Sequence, residues 1–416
     1  MFLIGKKKEA LPGDKPASLW RNRDYLLLLS GQVVSNVGTQ VSTLAFPLLI
    51  LALTGSPAQA GFVGTMRVIP YLLLSLPAGA LVDRWDRKRV MILCDTGRAF
   101  CLASIPIAYM LGHLTLVQLY LVSLFEGILF VFFNLAEVAC LPRVVGKGQL
   151  AQATAQNVTV NSVSYLAGPA LGGVLYGLGK FVPFLTDALS YVVSVVSLLF
   201  IKVKFQGERI ARQRSLWFEI KEGLNWLWHE PLIRFIGVLG SAVHLMGAGI
   251  IIVIILLAQH LHASTFVIGV MLAMDGVGSI TGAFIGGKIS KRFRFQNIVI
   301  TTMWLWAIIW PLLAFASNIV MLAALLCSLY LVITIFDVTQ FSYRVALIPD
   351  ELQGRVNGVY RMILFGGDTV GLMLVGVLLQ TLGTFTTILI YGAGIAIVAL
   401  VATLNPHMRR AQAVFS

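Results

Sequence analysis

Along most of this chain, apolar residues do not alternate with polar ones but run on for a bilayer's width, and each run ends in a short polar turn. A helix needs about 20 apolar residues to cross a hydrocarbon core, so the length of a run is the informative quantity. Such runs fall near 25–53, 57–82, 90–112, 115–140, 150–178 and 181–203. A second set falls near 232–258, 264–287, 297–315, 319–345, 355–380 and 385–404. The pattern predicts an all-α integral membrane protein of about twelve transmembrane helices. Its parts are a tail over 1–24, a six-helix bundle over 25–203, a linker over 204–231, a second six-helix bundle over 232–404 and a tail over 405–416.

The two sets repeat in register. Leu19-Trp20 returns as Leu227-Trp228, Gly79 and Arg87 return as Gly286 and Arg294, and Leu141-Pro142 returns as Ile348-Pro349, all at a nearly constant offset. Three landmarks in one register predict two copies of a single fold. The copies have diverged: Asp83 corresponds to Ser290, so the second loop lacks the acid.

Composition closes off other classes. With 58% hydrophobic and 12% charged residues and a mean hydropathy of +0.86, the chain has too little polar surface for a soluble globule. The net charge of +13 does not point to nucleic acid, because the bases lie in turns between apolar runs. They crowd one set of turns, at Lys6 to Lys8, Arg21, Arg23, Arg84 to Arg89, Arg143, Lys147, Lys202 to Lys221, Lys288 to Arg294, Arg355, Arg409 and Arg410, while Lys180 stands nearly alone on the other side. The bias predicts both termini in the cytoplasm. Met1 to Gly5 is too short for a signal-peptide core. Cys94, Cys101, Cys140 and Cys327 lie in or beside apolar runs and read as packing residues. In the linker, Arg212, Arg214, Trp217, Phe218, Lys221, Leu224, Trp226 and Trp228 mix bases with aromatics, which predicts a short amphipathic helix on the inner membrane surface.

Charges and amides inside apolar runs need partners or a cavity. Arg67 and Glu126 lie at similar depths and predict an ion pair, while Asp95 and Arg98, one turn apart, read as local interhelix contact. A carboxyl in low dielectric can take up and release a proton. Glu126, Asp275 and Asp337 are therefore proton-coupling candidates, with purely structural pairing as the competing reading and Asp368 as a further buried acid. Gln32, Asn36 and Gln40 share one face of span one and predict a cavity wall, to which Gln156, Asn157 and Asn161 of span five and Gln340 of span ten can add. A chamber of amides, acids and many Phe, Leu, Met and Val suits a lipophilic or amphipathic solute, cationic ones included, better than a sugar.

Two motifs carry a family resemblance. Gly79-Ala80-Leu81-Val82-Asp83-Arg84-Trp85-Asp86-Arg87-Lys88-Arg89 resembles G-x-x-x-D-R-x-x-R-[KR], the loop between the second and third helices of the major facilitator superfamily. Gly168-Pro169-Ala170-Leu171-Gly172-Gly173 resembles the G-P-x-x-G-G signature of its drug and proton antiporter branches. The chain is most similar to the bacterial macrolide-efflux and siderophore-exporter group, on these motifs together with Arg21-Asn22-Arg23-Asp24 and Ile348-Pro349-Asp350-Glu351-Leu352-Gln353-Gly354-Arg355-Val356.

The resemblance implies a cytoplasmic gate of Gly79, Asp83, Arg84, Arg87 and Glu137, with Asp83 capping span eleven near Gln353 and Arg87 reaching Glu137. The alternative is that this loop only sets topology. Spans five and eight face each other in the resembled fold. Gly168, Pro169, Gly172 and Gly173 are thus expected to form a sliding interface with Gly278, Gly282 and Gly286, ordinary tight packing being the alternative. The implied activity is proton-coupled export of a hydrophobic small molecule across a bacterial inner membrane, by a monomer without nucleotide or other cofactor. Rival readings are an exporter dedicated to a siderophore, lysolipid or metal ion, and a non-transporting scaffold or receptor. No metal site is expected, since His260 and His262 lack a third ligand. Gly282 to Lys288 mimics a phosphate-binding loop, but Ile289 stands where the magnesium-binding hydroxyl belongs.

Overall fold

The computed structural model describes residues 19–203, 205, 216–349 and 352–409. Asp350, Glu351, residues 1–18 and 410–416 of the tails and most of the linker's first half lie outside them. Among the described residues all regular structure is helical. In the first half come α1 (Arg23–Thr54), α2 (Pro57–Arg84), α3 (Arg87–Met110), α4 (Leu116–Val144), α5 (Leu150–Leu178) and α6 (Val182–Phe200). Then follow α7 (Leu216–His229), α8 (Pro231–Gly247), α9 (Ile250–His260), α10 (Thr265–Ile289), α11 (Phe295–Leu312), α12 (Ile319–Leu347), α13 (Gln353–Leu404) and α14 (Pro406–Arg409).

Eleven stretches are long and apolar enough to cross a membrane, with α8 and α9 counted as one across the break at Ala248-Gly249. The chain is a multi-pass membrane protein. Its outward surface is greasy, as at Phe100, Leu93 and Val320, where lipid rather than water is the solvent.

Turn chemistry sets the ends. Asn22, Ser56, Asp86, Thr115, Ser264 and Asn318 each accept a backbone N–H three residues on, capping α1, α2, α3, α4, α10 and α12. In the charged turn, then, the capping acid is Asp86, at the start of its own helix. The Arg21-Asn22-Arg23-Asp24 segment also ties elements together. Asn22 Nδ2 donates to the Val144 carbonyl at 2.9 Å, and Asp24 accepts the N–H groups of Lys202 and Val203.

At 52 residues, α13 is about twice the length a bilayer needs. Gly383 breaks it, with φ 78° and ψ 172°, and the chain turns back there. The phenol of Tyr391 consequently donates to the Gly371 carbonyl, a contact two antiparallel arms allow and a straight helix forbids.

In the first half α1 packs on α5 and α6, α2 on α4, and α3 on α4 and α6. In the second, α10 and α11 pack on α12, and α8 and α11 on α13. Large contacts between the halves run along α2 with α13 and α5 with α10. The described part of the linker is α7, which packs on α13 and α2 and is held by Arg355 Nη1 to Glu222 Oε2 at 2.6 Å. It is two-faced, with Leu227 buried and Leu224 and Trp228 exposed.

The Gly383 backbone lies in a region that only glycine adopts without strain, and open space surrounds it. Gly383→Val should therefore cost about 1–3 kcal/mol through the backbone alone, read as a lower melting temperature in detergent. An unchanged melting temperature would show that the reversal does not need this conformation.

Candidate functional site

A cavity of about 1170 Å³ lies between the two halves. Its walls come from α1, α2, α4, α5, α8 and α13, with Arg98 from α3, and it reaches the end of the molecule where α2 finishes at the charged turn and α13 begins. Asp83 and Gly79 stand on one side of that mouth, Gly354 and Arg355 on the other. The expected cap of α13 by Asp83 is not made, since Leu352 precedes that helix with no side-chain cap. Asp83 instead pairs with Arg87 at 3.2 Å, and its 71% exposure leaves that pair weak. Arg87 Nη1 donates to the Ala139 carbonyl at 2.9 Å rather than to Glu137, which lines the cavity. Arg84 is exposed at the end of α2. The gate residues are thus gathered at one mouth, with Asp83 and Arg87 bonded within the first half.

The opposite end is shut by bare backbone. A Cβ on Gly61 of α2 would lie 2.5 Å from the Leu372 carbonyl oxygen and 3.0 Å from the Cα of Gly376 on α13. A Cβ on Gly173 of α5 would lie 2.4 Å from the Thr265 carbonyl oxygen and 3.0 Å from the Cα of Gly269 on α10. No side chain fits at either crossing.

This corrects the expected interface. Gly278, Gly282 and Gly286 face Cys327, Leu331 and Ile335 of α12, and Gly168 and Gly172 face Gln40 and Val41 of α1, all inside one half. Of the expected glycines only Gly173 meets the other half, at Gly269. Pro169 contributes its carbonyl there, 2.4 Å from where a Gly269 Cβ would sit.

The cavity wall matches the span-one expectation in part. Asn36, Gln40 and Asn161 line it, and Asn36 Nδ2 donates to Asn161 Oδ1 at 2.8 Å. Gln32 does not: it is buried beside Met91, Phe133 and Ser194. Gln340 is buried too, donating to the Tyr360 hydroxyl and accepting from Arg344 at 3.4 Å. Helical spacing predicts the wall for Gln32, and Gln340 can add to it, but both faces are taken up by neighbouring helices. Aromatic rings that spacing did not single out close over the cavity, where Tyr71 of α2 sits 4.5 Å from Phe365 of α13 and 5.6 Å from Phe130 of α4.

Behind the wall of the first half lies a buried charge cluster. Arg67 pairs with Glu126 at 2.9 Å and also donates to Thr43. Arg98 lies 3.6 Å from Glu126 and 3.4 Å from Asp95, donates to the Tyr191 hydroxyl and stacks on the Tyr191 ring. Asp187 is fully buried nearby, against Ser190. Glu126 is therefore held between two guanidinium groups away from the cavity, a structural station rather than an open one.

The other two acids sit differently. Asp275 is half-buried on α10 next to Gly276, which abuts Leu166 of α5, and it has no ion-pair partner among the described residues. Asp337 of α12 lies within electrostatic reach of His244 and Asp368. His244 itself lines the cavity and accepts or donates at Nδ1, 2.9 and 3.0 Å from the two carboxylate oxygens of Asp368. Among the described residues no cluster of three or more His, Cys, Asp or Glu can hold a metal ion.

The family model described as "Transmembrane secretion effector" matches residues 17–414. The chain is 25% identical to the multidrug efflux pump Tap of Mycolicibacterium fortuitum, over 92% of this chain and 96% of that one. It is 24% identical to the enterobactin exporter EntS of Salmonella typhimurium, over 89% of each. Among solved structures it matches the nucleoside transporter NupG with a TM-score of 0.79 at 12% identity, covering 93% of this chain and 99% of that one. A bacterial homologue of the iron transporter ferroportin matches at 15% identity in both of its states. The TM-score is 0.73 in the inward-facing state, over 92% of this chain and 98% of that one, and 0.61 in the outward-facing state, over 91% and 98%.

Two outcomes test this geometry. Glu126→Ala leaves Arg67 without an ion-pair partner and Arg98 with Asp95 alone, and should cost about 3–5 kcal/mol, seen as a large fall in melting temperature, whereas Glu126→Gln should cost less. Gly173→Val cannot reach the closed contact with α10, so a cysteine placed beside it should react faster with a membrane-impermeant maleimide than in the otherwise unmutated protein. Equal labelling rates would mean that the glycine contact does not seal this end.

Proposed function

Because the chain belongs to the transmembrane secretion effector family of major facilitator transporters, we propose that it is a secondary exporter of hydrophobic or amphipathic small molecules, working by proton antiport and alternating access. The protein is a transporter and not an enzyme. The observation that carries the export reading is the large cavity, open where the charged turn lies and shut by glycine contacts at the far end. A solute enters from the side that carries the bases, which by the charge bias is the cytoplasm of a bacterial cell. The cavity closes there and reopens where Gly61 and Gly173 now meet their partners.

In this reading α8 with α9 makes one crossing and the two arms of α13 make one each, which brings the number to twelve. The two six-helix halves move as bodies about the α2–α13 and α5–α10 contacts, with both termini in the cytoplasm. The whole cavity is built within one chain, so a monomer suffices. Of the acids, Asp275 fits coupling best. It has no ion-pair partner among the described residues and sits at the seam that has to open, whereas Glu126 is already neutralised by two arginines.

A second substrate reading rests on Arg361 of the wall from the second half, where Arg355 and His244 are already paired with Glu222 and Asp368. That wall suits an anionic chelator, and one relative is named an enterobactin exporter.

Intact cells expressing the protein and loaded with ethidium should expel the dye, and a protonophore should stop the expulsion. Asp275→Asn should slow expulsion severalfold while leaving ethidium affinity near the parent value. Expulsion that ignores the protonophore would remove proton coupling, and retention of the dye alongside export of a catecholate would move the assignment to the dedicated exporter.

A further inference from the structure

Two glycines bring α13 unusually close to α8. A Cβ on Gly367 would lie 2.3 Å from the Ser241 carbonyl oxygen, and one on Gly371 would lie 2.2 Å from the Leu245 carbonyl oxygen. Asp368 follows the first of these glycines, and His244 lies between the two carbonyls. The backbone contact thereby fixes the imidazole against the carboxylate, with Nδ1 within 3.0 Å of both oxygens. The side chains keep 33% and 19% exposure, and both residues line the cavity. With Asp368 ionised, Nδ1 carries the hydrogen of this bond, and Nε2 is the ring nitrogen left to meet whatever fills the cavity.

Resting on the exporter reading above, we propose that His244 and Asp368 form a dyad at which the cavity itself gives up a proton to an arriving solute, a second station beside Asp275 of the seam. Nε2 takes a proton from hydronium in the cavity water, leaving a water molecule, and Asp368 stabilises the imidazolium through Nδ1. A cationic solute arriving beside Asp368 returns that proton to water, because the carboxylate cannot neutralise both positive charges. Binding of the solute and of the proton are then linked with opposite sign, as antiport requires.

The surrounding charges suit a station that changes state. Asp337 of α12 lies within reach of both members. Arg361 stands two turns along α13 on the same wall, and Arg344 of α12 is occupied over the Tyr360 ring at 3.7 Å. From the first half, Asp83, Glu137 and Arg98 border the same cavity. By contrast, Glu126 is buried behind the wall with its Oε1 against both Arg67 and Arg98, so it cannot trade protons as freely.

The test uses the full-length protein in detergent and weak buffer, with ethidium as the probe and a pH dye as the readout. The unmutated protein should release a proton as ethidium binds, and ethidium affinity should weaken as pH falls through about 7 to 5, the range in which histidine titrates. In His244→Gln, which keeps an amide donor facing Asp368, ethidium should still bind but with little proton release and a flattened pH profile, and in Asp368→Asn, which removes the charge that both cations share, it should bind more weakly at neutral pH, again with little proton release. Proton release and a pH profile in both variants equal to those of the unmutated protein would overturn the assignment. If intact cells never expel dye, the exporter reading falls by itself. Proton release on binding is measured without transport and still decides the dyad.

Discussion

Backbone touching backbone at two helix crossings is the constraint from which the rest of the structure follows. At Gly61 with Gly376 and at Gly173 with Gly269, helices from opposite halves approach until no Cβ fits between them. With the halves joined at that end, their other ends stand apart, and the space between is the cavity. Glycine suits this role because the contact is made by dispersion and leaves no polar side chain to be stripped of its partners when it separates. The tightness is local, and so is what must be undone for the far end to open.

To move as a body, as proposed, a half has to be stiff. In the first half, part of that stiffness comes from Arg67, Arg98, Asp95, Glu126 and Asp187, which are buried together and bonded to Tyr191, Thr39 and Thr43. Charges removed from water are tolerated only in their partnered arrangement, so the cluster ties α1, α2, α3, α4 and α6 to one geometry. The second half is held by less charge and more close packing: Gly278 and Gly282 let α10 press on α12, and Gly367 and Gly371 let α13 press on α8. Its charged side chains are left nearer the cavity. This asymmetry is why the two halves, alike in outline, offer different chemistry to a solute.

Much of this was legible in the sequence, because the length of an apolar run and the placement of lysine and arginine report directly on a bilayer. The spans, the reversal near Gly383, the Arg67–Glu126 pair and the Asn36, Gln40 and Asn161 face all follow from such local signals. What did not follow was facing. The spacing of Gly278, Gly282 and Gly286 announces a close contact, yet nothing in that spacing says whether the neighbour is α12 or α5. Gly61, Gly269 and Gly376 stand in no such regular series, and they carry the contact between halves. His244 is a lone polar residue in an apolar run, and its partner is 124 residues away. Gln32 and Gln340 show the converse, since a polar face predicted to look inward can be satisfied by the next helix.

The amides of the cavity have one further consequence. Asn36 and Asn161 are bonded to each other, and with Gln40, Asn134 and Asn357 on the same surface they offer donors and acceptors in equal measure. Each amide can exchange the two roles by rotating half a turn, so the surface imposes little hydrogen-bond grammar on its guest. Directional contacts on this surface are left to its charged side chains, such as His244, Asp368 and Arg361, while the rings of Tyr71 and Phe365 add only shape.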